Sequence, residues 1–539
     1  MNSSSAVWPQ PLDPLHSLAL SALAAAVPLI IVLFVMGALR KSGLLASCCG
    51  LAAAALLALF MWRMPADFVL WSTVYGMIYA LWPILWIVFG ALWLYNLAQD
   101  TGAFQLLHRW MEQNASSNPC IQAMLVAFSF GALMEGTAGF GAPVAITACL
   151  LLGLGFEARR AVLVALIANT APVAFGALGI PIVALAGVTG LNLSQLSAMA
   201  GRQVPVLSAI LPAYLACVVA GRKGLKQTWP AALVAGGSFA LMQFLVSNYW
   251  GPYVTDVLSA LVSIGALVAF LKLWSPPDQT TPATPAGNAD RNAKLSLRDS
   301  FTAWLPWTIL SAVMVLWSYF KLLPVGQRTI PIASLHNHVL ITLYHKVYAA
   351  AYLFQPLGAG TGVVAATILT AFCLRVRPQV FFRSGGKALR QLRIPGLTVM
   401  VIVGLAYLYN YSGMAFTLGA AAAGIGPAFP FVSGYLGWVA CFLSGSDTSA
   451  NLLFGNLQVA VAHQLHLSPV LLAATNSSGA VTGKMISPQN IAIGVTTVGL
   501  IGQEGQVLRS TFWHSVALAA LLGLVALAQA YWLTWMIPN

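Results

Sequence analysis

The sequence predicts an all-α polytopic membrane protein of about twelve or more transmembrane helices, arranged in two inverted repeats with broken or re-entrant helices. Three observations carry that prediction. Of 539 residues, 59% are hydrophobic and only 7% are charged, against roughly 25% charged in a soluble domain. Apolar stretches of about 20 residues, each long enough to cross a core of roughly 30 Å as a helix, recur from one end of the chain to the other. Two Gly- and Pro-interrupted apolar segments, far apart in the chain, share one residue pattern.

The first apolar stretch, Leu18 to Leu39, is too long for the core of a signal peptide, and its charges, Arg40 and Lys41, follow rather than precede it. It is expected to stay as the first span. The net charge of +13 invites a nucleic-acid partner, but the basic residues argue against one because they cluster beside the spans. The clusters are Arg40 and Lys41; Arg159 and Arg160; Arg222, Lys223 and Lys226; Lys272 with Arg291, Lys294 and Arg298; the run from Arg375 to Arg393; and Arg509. The positive-inside rule makes these cytoplasmic. Both termini are then periplasmic, since Arg509 is followed by a last span from Phe512 to Met536, and the number of crossings is even.

Ser275 to Ser300, rich in Pro, Thr, Ala and Asn, reads as a flexible cytoplasmic linker. The expected organisation is an N-terminal membrane half over 1–274, a linker over 275–302 and a C-terminal membrane half over 303–539. The polar stretch from Lys321 to Lys346 holds His336, His338 and His345 outside the membrane, and is read as an ordinary loop in preference to a metal site. The seven cysteines form no Cys-x-x-Cys pair and are assigned to packing.

The repeat locates the chemistry. Asn169-Thr-Ala-Pro-Val-Ala-Phe-Gly176-Ala-Leu-Gly-Ile-Pro181 matches Asn476-Ser-Ser-Gly-Ala-Val-Thr-Gly483-Lys-Met-Ile-Ser-Pro488 in its Asn, Gly and Pro. Each copy follows an acidic residue in an apolar, Gly-rich stretch: Glu135 in the first, Asp447 in the second. The broken segments are placed near 135–187 and 445–495. The first leaves cytoplasmic Arg159 and Arg160 heading outward and the second runs inward to Arg509, so the copies are inverted, the arrangement that marks a secondary transporter's binding site.

A helix broken at membrane depth leaves backbone groups that lipid cannot satisfy, so breaks occur only inside protein or along a watery cavity. The new helix starts offer partial positive charge and free N–H donors to an anion. Asn169, Thr170, Gly176, Asn476, Ser477 and Ser478 are the substrate-binding candidates, suited to a carboxylate and an adjacent hydroxyl; the alternative is that these small polar residues only knit helices together. Glu135, Asp447 and Lys484 are the ionisable groups expected within the bilayer, where charge is expensive and therefore functional by default. Lys484 is the natural partner of a substrate carboxylate, and Glu135 and Asp447 are the proton-coupling candidates. The alternative is a purely structural ion pair of Lys484 with either acid. Arg202 stands as a further substrate or gate residue, or as a residue of the membrane surface.

With these residues in hand, the chain resembles the lactate permease family over nearly its whole length. The motifs are Leu81-Trp-Pro-Ile-Leu-Trp, Glu135-Gly-Thr-Ala-Gly-Phe-Gly-Ala-Pro-Val-Ala-Ile-Thr, the Asn169 segment above, Gly445-Ser-Asp-Thr-Ser and Val481-Thr-Gly-Lys-Met-Ile-Ser-Pro-Gln. Gln489, which closes the last of these, joins the substrate-binding candidates. The resemblance implies a permease of the bacterial inner membrane, not an enzyme, that takes up L-lactate, often D-lactate and glycolate, in symport with H⁺ and without a cofactor. A more distant similarity, to the ion-transporter superfamily, implies an elevator motion and admits a homodimer. This chain has Gly136-Thr137-Ala138 where the family often reads Gly-Ala-Ala, and Asn476-Ser-Ser-Gly where it often reads Asn-Thr-Thr-Gly; both bear on which 2-hydroxy acid is preferred.

Three rival readings remain at this level. A sodium-coupled carrier uses the same broken helices. A membrane-embedded enzyme lacks support, because the sequence has no His-Glu-x-x-His, no Gly-x-Ser-x-Gly and no paired His within spans. An anion channel is disfavoured by the inverted broken segments.

Overall fold

A computed structural model describes residues 7–538 apart from 38, 40, 115, 117, 138, 140, 277–294, 344 and 501. Apolar residues on every face commit most helices to lipid or to one another, and helices dominate. Among the described residues, ten helices are long and apolar enough to cross a membrane, or eleven if one bent pair is a single span. That count takes merged helices once. Val204–Tyr249, 46 residues long, would run roughly 69 Å if straight, more than twice the bilayer core. It breaks at Ala220 and Gly221, beside the basic residues Arg222, Lys223 and Lys226, so one continuous assignment holds enough length for two crossings. The expected linker falls largely on 277–294, outside the described residues, as do Arg40, Arg291 and Lys294.

Two packing groups organise the chain. In one, Gly43–Phe60, Ala66–Tyr79 and Trp86–Asp100 pack on the long helix Pro378–Ser412, with Ala359–Cys373 and Leu297–Tyr319 behind them. In the other, the segments around Glu135 and the two broken segments pack with Val204–Tyr249, Thr255–Leu273, Phe429–Ser444 and Glu504–Tyr531. The groups meet along the helix Gly176–Thr189. Its backbone carbonyls accept hydrogen bonds from across the seam, Tyr79 Oη donating to Val183 O, Tyr407 Oη to Gly187 O and Asn410 Nδ2 to Val188 O, and Val188 O also accepts from Asn456 Nδ2 of its own group.

The span Pro119–Thr137, which carries Glu135, is wholly buried. From Val470 to Gly483, every residue of Pro469–Gly483 is buried too. Helices that present no face to lipid can carry polar side chains without exposing them to hydrocarbon, which is why the site is built on these two. The segment expected as a histidine-bearing loop instead forms two small sheets. Val339–Ile341 pairs parallel with Trp8–Pro9 and antiparallel with Lys346–Val347, and Arg328–Pro331 pairs antiparallel with Ala351–Phe354. Val339, Leu340 and Ile341, together with Tyr352 and Phe354 beyond them, supply the β preference that a reading focused on polarity passes over. The strands fasten the N-terminal strap, and Gln10 Nε2 then donates to the carbonyls of Asn410 and Tyr411.

Candidate functional site

The first broken segment begins with the helix Ala158–Ala168, passes through a 3-10 turn at Val173–Phe175 and restarts as Gly176–Thr189, bending by 65°. Pro172 cannot donate to the Ala168 carbonyl, so the helix stops where the sequence withdraws an N–H. Ala177, Leu178 and Gly179 then follow with φ of 45°, 60° and 74°. Two of these carry a Cβ, for which the left-handed region costs roughly 1–2 kcal/mol each. Backbone strain of this kind persists where the surroundings enforce it, commonly at binding sites.

The second broken segment has the same order of parts. Pro469–Gly483 ends in a 3-10 turn at Lys484–Ile486, and Pro488–Thr497 starts anew. Ser487 caps the new start, its Oγ accepting from Asn490 N at 3.2 Å, with Pro488 in the first helical position. The sequence offset that aligns Asn169 with Asn476 carries Ala177–Gly179 onto Lys484–Ile486, so both segments break at matching positions. A third helix start lies beside them: Gly445 turns with φ of 72°, and Ser446 Oγ accepts from Ser449 N to open Asp447–Gln464.

Gly176, Ala177, Ser446, Asp447, Gln489 and Asn490 all border one cavity, so three helix starts converge on it. Helix starts favour an anion through their free N–H groups and the positive end of the dipole. The cavity measures about 80 Å³ as space open to the centres of water-sized molecules. That is well above the roughly 10–15 Å³ needed to admit one water, and leaves room for several waters or one small organic acid.

The charged groups sit in its wall. Lys484 Nζ lies 2.5 Å from Glu135 Oε1, with side chains 8% and 4% exposed. Asn169 Nδ2 donates to Glu135 Oε2 at 3.0 Å, so both oxygens of Glu135 are engaged. This approach depends on Gly176: a Cβ there would stand 2.7 Å from Glu135 Oε1. In the second half, a Cβ on Gly445 would meet Gln489 Oε1 at the same 2.7 Å. Asp447 Oδ2 accepts from Ser477 Oγ at 2.8 Å, whereas Asp447 Oδ1 is buried without a hydrogen-bond partner.

The structure thus brings Glu135, Asn169, Gly176, Asp447, Ser477, Lys484 and Gln489 into one constellation, five of them lining the cavity and Asn169 and Ser477 held behind its two acids. The other sequence candidates sit differently. Thr170 Oγ1 donates to Ile167 O within its own turn. Asn476 Nδ2 donates to Asn451 Oδ1 and Ala450 O, and its Oδ1 accepts from Gln458 Nε2; Asn451 Nδ2 in turn donates to Pro181 O. The two aligned asparagines therefore act differently: Asn169 holds the acid, and Asn476 ties the second half to the first break. Ser478 Oγ is buried and unpartnered. Arg202 is part-buried away from the cavity lining, its Nε donating to Asn248 Oδ1 and its Nη1 to Met536 O.

One buried acid escaped the sequence reading. Asp256, 1% exposed, lies in the first turn of Thr255–Leu273. Its Oδ1 accepts from Gln243 Nε2 at 3.1 Å, its Oδ2 has no partner, and its Cβ lies 3.1 Å from where a Cβ on Gly136 would stand, next to Glu135. Gln243 Nε2 also donates to Ala171 O inside the first break, and its Oε1 accepts from Ser208 Oγ. An acid at the edge of an apolar span reads as an interfacial residue, and only the Gly251-Pro252 turn just before it hinted otherwise. Thr448 and Asn490 were likewise missed as lining residues, although Thr448 lies within the Gly445 motif and Asn490 directly follows Gln489. Among the described residues, no group of three or more His, Cys, Asp or Glu converges as a metal site.

The model of the family described as L-lactate permease matches residues 21–533. Glycolate permease GlcA of Escherichia coli (strain K12) is 42% identical over 558 residues, covering 99% of this chain and 100% of its own. The L-lactate permease of Salmonella typhimurium is 40% identical over 550 residues, again covering 99% and 100%. Among solved structures, the Alcanivorax borkumensis YdaH transporter covers 88% of this chain and 90% of its own at a TM-score of 0.47 and 14% identity.

Proposed function

The chain belongs to the L-lactate permease family, and from that premise we propose that it imports L-lactate, and with it D-lactate and glycolate, by proton symport across the bacterial inner membrane. The observation that carries the coupling is the occupied lysine. Lys484 already holds Glu135, so a substrate carboxylate that reaches Nζ must share the ammonium with a buried anion. With Glu135 ionised, two carboxylates would share one cation in a poorly solvated site, and burying the uncompensated charge is costly. A proton on Glu135 removes the conflict. It frees Lys484 for the substrate, and the proton enters with the anion.

Asp447 works in the same direction. Asp447 lines the cavity and its Oδ1 has no hydrogen-bond partner; ionised, the residue repels a second carboxylate, and protonated it can donate a hydrogen bond. Gln489, Thr448 and the free N–H groups at the helix starts serve the substrate carboxylate and hydroxyl. The two membrane halves, 1–274 and 303–539, present these groups from inverted repeats, and the loaded site is re-gated to the cytoplasm, where proton and acid leave together. One proton with one monovalent anion carries no net charge. The roughly 2.3 kcal/mol per charge per 100 mV of membrane potential then does not drive the cycle; the pH gradient and consumption of lactate do.

Purified protein in liposomes tests the reading. Labelled L-lactate is expected to accumulate under an imposed pH gradient, alkaline inside, in Na⁺-free buffer, and Lys484→Ala is expected to abolish it. Accumulation that needs Na⁺ and ignores the pH gradient would overturn the assignment of the coupling ion.

A further inference from the structure

The cavity wall is chemically divided. Its polar side chains come mainly from the start of Asp447–Gln464 and from the second break, namely Ser446, Asp447, Thr448, Lys484, Gln489 and Asn490, with Glu135 joining them at Lys484. The side chains that the first break and the restarted helix contribute are apolar: Val173, Ala177, Ile180 and Pro181. Val173 is 2% and Ile180 3% exposed, so both are packed into the protein with only the cavity before them.

A 2-hydroxy acid is divided in the same way. Its carboxylate and hydroxyl occupy one end and its alkyl substituent projects from the other. A carboxylate turned toward Val173 and Ile180 would find no side-chain donor and would be desolvated without compensation. Turned toward Lys484 it has a cation and donors, and the alkyl group then falls against Val173 and Ile180. The apolar wall is also fixed in place. Asn451 Nδ2 holds Pro181 O at 3.1 Å, and Gln243 Nε2 holds Ala171 O at 3.2 Å. A wall pinned on both sides of the break resists receding to admit a longer chain.

We propose that Val173 and Ile180 form the alkyl pocket that decides which 2-hydroxymonocarboxylate is carried, accepting a substituent the size of a methyl group and rejecting longer or branched ones. The inference rests on the reading above that such acids are the cargo, and it adds the residues that select among them. Discrimination by one methylene in an apolar pocket spans roughly 10–200-fold, which sets the size of effect to look for.

The test is counterflow in liposomes preloaded with L-lactate, challenged with glycolate, L-lactate, 2-hydroxybutyrate and 2-hydroxyisovalerate. Each rate is expressed relative to another acid in the same variant, so differences in yield or folding cancel. Ile180→Ala and Val173→Ala are expected to raise 2-hydroxybutyrate relative to L-lactate by at least about tenfold. Ile180→Phe is expected to lower L-lactate relative to glycolate by a similar factor. Should Ile180→Ala lose all exchange, the milder Ile180→Val and Val173→Ala carry the comparison. Ratios unchanged within about twofold, in variants that still exchange glycolate, overturn the pocket while leaving the transport reading intact. Wild-type protein that exchanges none of the four acids overturns both.

Discussion

Replacing Glu135 by Gln isolates the charge from the shape of the group that holds Lys484. The amide keeps an acceptor near Nζ and a partner for Asn169, but it cannot neutralise the ammonium. Removing one charge of a buried pair costs roughly 3–5 kcal/mol, and with the two side chains 8% and 4% exposed, little of that is screened by solvent. A substrate carboxylate restores the missing counter-charge. L-lactate is therefore expected to raise the thermal stability of the purified variant more than that of the wild type, by up to the same roughly 3–5 kcal/mol. In liposomes the variant should retain counterflow and lose accumulation driven by a pH gradient. Accumulation equal to wild type, or lactate protecting both proteins equally, would refute the coupling role of this pair.

Other changes probe the supports of the site. Gly176→Ala places a Cβ 2.7 Å from Glu135 Oε1, and the displaced carboxylate should cost at least about a tenfold loss of counterflow, since each 1.4 kcal/mol is a factor of ten. Gln243→Leu removes the hydrogen bonds that Gln243 Nε2 gives to Ala171 O and Asp256 Oδ1; at about 1–3 kcal/mol for each buried unsatisfied group, detergent-solubilised protein should unfold at a clearly lower temperature. Gly187→Ala drives a Cβ to 2.2 Å from the ring of Tyr79 at the seam between the packing groups. Transport should fall and should recover in the double variant with Tyr79→Leu, a coupling that independent effects would not give.

Much of this molecule follows from the order of its residues alone. Apolar runs of membrane-spanning length admit only helices, because lipid offers no partner for backbone groups, and Pro and Gly at repeated positions mark where those helices break. Glu135, Asp447 and Lys484 stood out because charge inside apolar sequence has few reasons to exist. What the sequence could not decide was pairing. Whether Lys484 meets Glu135 or Asp447 depends on how two segments more than three hundred residues apart pack, and the fold joins Lys484 to Glu135 while leaving one oxygen of Asp447 unsatisfied. Equivalence by alignment also misled: Asn169 and Asn476 match in sequence yet bind different partners, since each answers to its own neighbours. Asp256 stayed hidden because an acid at the end of an apolar run looks interfacial until tertiary packing closes around it. Local sequence sets where a backbone must bend and which side chains are costly to bury; only the packed structure sets which of them face one another across the space that remains.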